Sequence, residues 1–237
     1  MRPAFALLAL AVLSGQTPAP SPSAAAPLRH LEYSFTIHKV GMAGSEYNGM
    51  SDGIEGGSTI GDGGQGTMDV DVLSISSDGA LIVRISERVS TDPRPRQAYT
   101  CTVYGNTTVV CPSVPAPSQA EWLLLRYLGR SFVDSAPWDA QHHWGRSSRT
   151  DRYALTEDFT MSDAGDGKHV VVLETEKVDA YNGGMNAQTE DVRITYDRSM
   201  EVPDAVHDVI ASTGESSSTG QATIDFQLRK DSFAKQR

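Results

Sequence analysis

The sequence predicts a mainly β domain, about ten antiparallel strands in a curved sheet or half-barrel packed on one central α-helix. Three observations predict it. Stretch after stretch alternates apolar and polar residues with a period of two. Gly, Asn, Asp and Ser cluster at short intervals between those stretches, and one segment breaks the period with helical spacing. At 237 residues, 39% of them hydrophobic, the chain is long enough for one large all-β domain with its own core.

The N-terminus stands apart from that domain. Arg2 gives a positive start, and residues 4–13 (AFALLALAVL) form an apolar run. A helix crossing a bilayer needs roughly 20 residues, so this run is too short to span. Charged start, short apolar core and small residues beyond it read as a secretory signal, cleaved between residues 14 and 26. No cysteine follows the run to be acylated as a lipoprotein anchor, and the Pro/Ala/Ser-rich stretch to residue 27 reads as a flexible leader. The expectation is an exported protein, periplasmic or secreted. Residues 1–27 are signal and leader, and residues 28–237 a single β-rich domain with no transmembrane segment.

Residues 31–40 open the domain with Leu31, Tyr33, Phe35 and Ile37 on one side and Glu32, Ser34, Thr36 and His38 on the other. Residues 41–66 follow, rich in glycine with scattered acids. Such a segment loses much backbone entropy on ordering and has little to bury, which predicts a mobile loop. Asp78-Gly79 then separates two β-rich runs, the signature of a two-residue hairpin turn. With those two residues in the turn, Val72 opposes Ile85, Ser74 opposes Val83 and Ser76 opposes Leu81, and Met68 and Val70 extend the apolar face. On the reverse face Asp69 meets Arg88, Asp71 meets Ser86, Leu73 meets Arg84 and Ile75 meets Ile82.

The only two cysteines lie in residues 98–111 (AYTCTVYGNTTVVC). A three-residue turn at Gly105-Asn106-Thr107 sets Val103 opposite Val109 and Cys101 opposite Cys111, with Tyr99 on the same face. A two-residue turn would split the cysteines onto opposite faces. In the three-residue register the pair is non-hydrogen-bonded, with Cα atoms about 4.5 Å apart, within reach of a disulfide. A metal site lacks two further ligands nearby, and a redox pair would have Cys-x-x-Cys spacing. Cys101–Cys111 is therefore predicted to be a structural disulfide, formed in the oxidising compartment that export supplies.

Residues 118–134 (SQAEWLLLRYLGRSFVD) form the helix. Ser118 and Glu121 make a capping box. Leu124, Leu125, Leu128 and Phe132 share one face, flanked by Trp122 and Tyr127. Five more strands follow. Residues 152–161 place Tyr153, Leu155, Phe159 and Met161 inward, and residues 169–178 are next. Residues 190–197 place Val192, Ile194 and Tyr196 inward; residues 205–213 follow Pro203. Finally, residues 220–230 alternate Ala222, Ile224, Phe226 and Leu228 against polar neighbours. A lone amphipathic helix in a β domain must bury its stripe on a sheet face, which predicts a curved sheet around it, or two packed sheets with the helix at one end.

Chemistry-bearing residues form no catalytic constellation. His142-His143 with Asp139 is the most reactive-looking group, but adjacent residues on an extended chain point apart, so a post-helix turn with one histidine packed and one solvated is expected rather than a metal. Asp52, Glu55 and Asp62 offer oxygens in the Gly-rich loop without calcium-loop spacing. Glu157 and Asp158 would project to opposite faces, and the many acids read as a solvated outer surface. No Gly-x-Ser-x-Gly elbow, phosphate loop or dinucleotide fingerprint occurs, so neither a metal nor another cofactor is implied. Thirty acidic against 20 basic residues give −10 with no basic cluster, which argues against nucleic acid and anionic membranes as partners.

The functional expectation is an exported, non-catalytic structural or interaction module with unspecified protein partners. The alternative is a carrier for a lipid or other apolar small molecule. The layout is similar in outline to the half-barrel carriers that ferry lipoproteins or lipids across the bacterial periplasm. That resemblance of architecture implies a concave apolar face, lined here by Phe35, Leu124, Leu128 and Phe226.

Overall fold

The computed structural model describes residues 26–40, 46–47, 58–59, 64–92, 94–105, 108–112, 117–128, 142–150, 153–180, 186–197, 202–214 and 220–233. Five strands of the main sheet precede the helix: β1 (Arg29–Val40), β4 (Gly64–Ile75), β5 (Leu81–Val89), β6 (Tyr99–Val103) and β7 (Val109–Val110). Two short strands, β2 (Glu46–Tyr47) and β3 (Ser58–Thr59), pair separately. The helix α1 (Gln119–Leu128) comes next. After it run β8 (His142–Arg149), β9 (Tyr153–Asp163), β10 (His169–Ala180), β11 (Asn186–Asp197), β12 (Pro203–Gly214) and β13 (Gly220–Asp231). Eleven strands make one open antiparallel sheet in the order β7-β6-β5-β4-β1-β13-β12-β11-β10-β9-β8. Every neighbouring pair is antiparallel; β1 pairs with β4 across the inserted β2–β3 pair, and at the centre β1 and β13 meet and join the two halves.

Period-two alternation decides which face is inside. Leu31, Tyr33 and Phe35 of β1, Met68, Val70 and Val72 of β4, and Ala222, Ile224 and Phe226 of β13 are buried, and they pack with the helix leucines into one core. The alternate residues are the polar outer set. Tyr33 shows how tightly the two halves are joined: its hydroxyl donates to the Pro203 carbonyl at 2.9 Å, and burial holds its pKa far above the usual tyrosine range. Pro203 sits at the first position of its strand, where the missing N–H costs no ladder bond.

The cysteine hairpin has the expected register. Val103 pairs with Val109, Tyr104 N–H donates to the Thr108 carbonyl, and Cys101 and Cys111 are disulfide-bonded with Cα atoms 4.4 Å apart. The β4–β5 hairpin differs. Its loop is Ser77, Asp78 and Gly79, closed by the Ser76 N–H donating to the Ala80 carbonyl at 2.9 Å. Gly79 takes the left-handed position at φ 83°, and the Asp78 carboxylate bonds the Ser76 hydroxyl. An Asp-Gly pair serves a three-residue loop as well as a two-residue one, with glycine in the last position. A bulge at Leu73 then shifts the ladder again, so Val72 pairs with Val83 and Asp71 with Arg84. The two shifts restore the original parity, which is why Met68, Val70, Val72, Val83 and Ile85 still face the core. Asp71 accepts from Arg84 at 2.6 Å and lies 2.7 Å from the His30 ring; hydrogen bonds from both hold its pKa down against its own desolvation.

Two further differences concern extent. His142 and His143 begin a strand, β8, rather than a turn; its polar sequence carries no alternation to announce it. The Gly-rich stretch is partly ordered: β4 already begins at Gly64, and β2 pairs with β3 inside it. Helix α1 is described to Leu128; Phe132 and Asp139, like Asp52, Glu55 and Asp62, lie outside the described residues.

Gly66 illustrates a glycine that packing requires. It pairs with Phe35 on one side and Val89 on the other, and an added Cβ would collide with the Arg88 carbonyl oxygen and lie 2.7 Å from the Phe35 ring. Gly66→Ala is expected to destabilise the fold by about 1–3 kcal/mol, the usual scale of overpacking, as read by urea denaturation. Gly64→Ala, where the same atom meets open space, serves as the neutral control.

Candidate functional site

The inner face of the C-terminal half carries a cluster of carboxylates where that of the N-terminal half is mostly apolar, with Glu87 of β5 the buried exception among its strands. On β9 the inward set is Leu155, Glu157, Phe159 and Met161; on β10 it is Val170, Val172, Glu174, Glu176 and Val178; β11 adds Glu190 and β12 adds Asp208. Register makes them neighbours. Glu157 pairs directly with Glu176, and Glu176 directly with Glu190, a row of three glutamates across three adjacent strands. All five carboxylates are at most 2% exposed. Like charges opposite one another destabilise a sheet, so this face needs both a counter-charge and protons.

Helix α1 brings the counter-charge. The Arg126 guanidinium, itself buried, places Nη2 3.2 Å from Glu176 and 3.6 Å from Glu174, and Nη1 3.2 Å from Glu190. Its carbon stands 5.0 Å over the Trp122 ring. The neighbouring Tyr127 donates its hydroxyl to Asp208 Oδ2 at 2.9 Å and stands 3.4 Å from Glu190. Tyr196 of β11 in turn donates to the Tyr127 carbonyl at 3.1 Å, satisfying an orphan acceptor at the helix end. The N-terminal end is held by the expected capping box. Glu121 N–H donates to Ser118 Oγ at 3.1 Å, and Glu121 Oε2 accepts the Ser118 N–H at 2.8 Å. The same oxygen accepts from Tyr99 and Arg96 and so ties the helix to β6. Thus Glu121 anchors the helix to the first half of the sheet and Arg126 to the second.

Burial, the largest cause, pushes Glu176 up to about 8, with Arg126 pulling it down and the adjacent glutamates adding to the rise. It drives Asp208 well above the carboxylate range too, reinforced by the Glu190 charge, and one Asp208 oxygen has no hydrogen-bond partner. Protonated carboxyls at these two positions relieve the crowding. Arg146 of β8 is the register partner of Glu157. One oxygen each of Glu157, Glu174 and Glu176 lie within 4.8 Å of one another, the donor type a hard cation takes, but the Arg126 guanidinium already supplies positive charge against two of the three.

The residues singled out from sequence distribute as follows. Phe35, Leu124, Leu128 and Phe226 are buried together in the main core, with Phe226 edge-on to Tyr127 at 6.5 Å between ring centroids. His143 is exposed, 3.9 Å from Asp158, which points outward as expected. Beyond Glu87 and Glu121, which are buried too, the expectation that acids mark the solvated surface fails for the five carboxylates of this cluster, Glu157 included. Their positions carried the signal: each falls on the parity of the apolar residues of its own strand. His169 is held by two acids. Its ring bonds Asp166 and, at 3.2 Å, Asp204, and the Asp166 bond raises its pKa.

Comparison of the chain with known protein families, curated proteins and solved structures finds no match.

Two outcomes follow from the cluster. Glu176 has a folded pKa near 8 against an ordinary 4.5, so its contribution is whole below about 4.5 and is lost as pH rises through about 8; Asp208 has the same sign. Denaturant stability is therefore expected to fall between about pH 5 and pH 8, and Glu176→Gln to flatten that slope. Arg126→Met leaves the carboxylates uncompensated and is expected to cost about 3–5 kcal/mol near neutral pH, the scale for breaking a buried pair. The loss should shrink at pH 5, where the carboxyls take up protons; an equal loss at both pH values would argue that Arg126 acts by packing alone.

Proposed function

We propose that the chain is an exported, non-catalytic interaction module whose concave face is closed by its own helix. One observation supports it above others: all ten residues of α1 are buried. The helix occupies the concave face where a carrier would hold its cargo. Its two polar anchors, Glu121 and Arg126, fasten it to opposite halves of one sheet. Among the described residues, the surface this leaves for contact with other molecules is chiefly the polar outer face.

A second reading, a carrier of a lipid or other apolar molecule, is favoured by the chemistry of the Arg126 anchor. An ion pair to Glu176, whose pKa burial raises, responds to pH, whereas apolar packing does not. A helix held in this way has a route to release that would open Phe35, Leu124, Leu128 and Phe226 to a ligand. Native mass spectrometry of the purified protein at pH 5 and pH 8, before and after organic extraction, separates the two. The module reading expects the bare polypeptide mass in every sample. A co-purifying lipid removed by extraction would replace it with the carrier.

A further inference from the structure

The outer face of the sheet, apart from the helix and its carboxylates, holds a depression of about 340 Å³ where β1, β13, β12 and β11 run side by side. Its volume falls in the lower range of small-molecule sites. Short side chains make the floor, among them Ser34, Thr195 and Ala205, and longer ones rise around them: Arg193, His207 and Arg229. Phe35, Val206 and Phe226 border it too, but their side chains are mostly buried on the other face, and the surface lining the space is of mixed polarity.

The charges around this space do not cancel. Among the described residues Arg193 makes no side-chain hydrogen bond or ion pair, leaving five N–H donors for solvent or ligand. Arg229 spends only its Nε, on Ser34 Oγ at 2.8 Å, which leaves both terminal nitrogens available. Asp225, the one carboxylate bordering the depression, lies 2.7 Å from His207 Nδ1. Asp191, two residues from Arg193 on the same strand face, takes the Thr175 hydroxyl instead. On a chain of net charge −10, two arginines facing one concavity without a carboxylate of their own are a local reversal of sign. A guanidinium's planar fork matches two oxygens of one acid group.

We propose that this depression is an oxyanion-binding site, taking a small molecule through a phosphate or carboxylate group held by Arg193 and Arg229. The site is independent of whether the helix stays closed, because it lies on the opposite face of the sheet.

The test is an amide NMR titration of the whole protein with sodium phosphate and, separately, with sodium citrate, against sodium chloride at matched ionic strength. Saturable shifts are expected in residues 34–36, 193–195, 205–207 and 225–229, with a response to phosphate alone, citrate alone or both supporting the site and assigning its acid group. Arg193→Ala and Arg229→Ala should each weaken binding about tenfold or more, a step of about 1.4 kcal/mol, with unchanged thermal stability because both side chains are exposed. Arg193→Lys, which keeps the charge but not the fork, should fall between. Shifts that never saturate, shifts scattered over the surface, or undiminished binding in both alanine variants would overturn the proposal.

Discussion

The structure depends on one side chain entering a face that would otherwise be unable to form. Glu157, Glu176 and Glu190 stand in a direct row across three strands, with Glu174 and Asp208 beside them. A sheet with that inner face cannot close over a dry core, since each buried ionised carboxylate carries a desolvation penalty of several kcal/mol. Arg126 is equally unable to be buried alone. Each makes the other tolerable, so the helix is seated by charge as well as by its leucines. An apolar stripe could slide or rotate by a turn at modest cost. A guanidinium divided among three glutamates on two strands fixes the helix in one position.

The two halves of the sheet therefore meet the helix by different physics. Toward β4, β5 and β6 the contact is mostly close-packed hydrocarbon, with Leu123, Leu124 and Leu125 in one core with Met68, Val83 and Ile85, pinned at the helix start by Glu121 to Tyr99 and Arg96. Toward β10, β11 and β12 it is a network of shared protons and ion pairs through Arg126 and Tyr127. The hydrocarbon part of the first does not depend on pH. The second depends on how many carboxyls are protonated, which makes the C-terminal side the variable half of the molecule.

Much of this was legible in the sequence, because side-chain parity survives errors of register. The β4–β5 hairpin was misread by its turn length, and Leu73 bulges out unannounced, yet the inward residues came out right since the two shifts compensate. The Cys101–Cys111 hairpin was read fully, since only one turn length puts two cysteines on one face. Strand β8 escaped because an edge strand with a polar sequence has no alternation to read. The carboxylate cluster escaped for another reason. In residues 169–178 the inward parity reads His, Val, Leu, Thr and Lys on one face and Val170, Val172, Glu174, Glu176 and Val178 on the other, so the two glutamates belong with the valines. Treating acids as surface by habit hid them; following the valines would have exposed them. Which cation answers them is a tertiary fact, because Arg126 is 48 residues or more from either one in sequence.

The ends of the sheet carry a last consequence. An open sheet has two bare margins, and each is a template on which another chain could stack into fibrils. Here one margin is β7, only two residues long and stitched to its neighbour through Cys111. The other is β8, whose sequence holds two histidines and two arginines. A ladder that short and a strand that cationic are both poor seeds for polymerisation, so the molecule can leave its sheet unclosed without inviting its own copies to extend it.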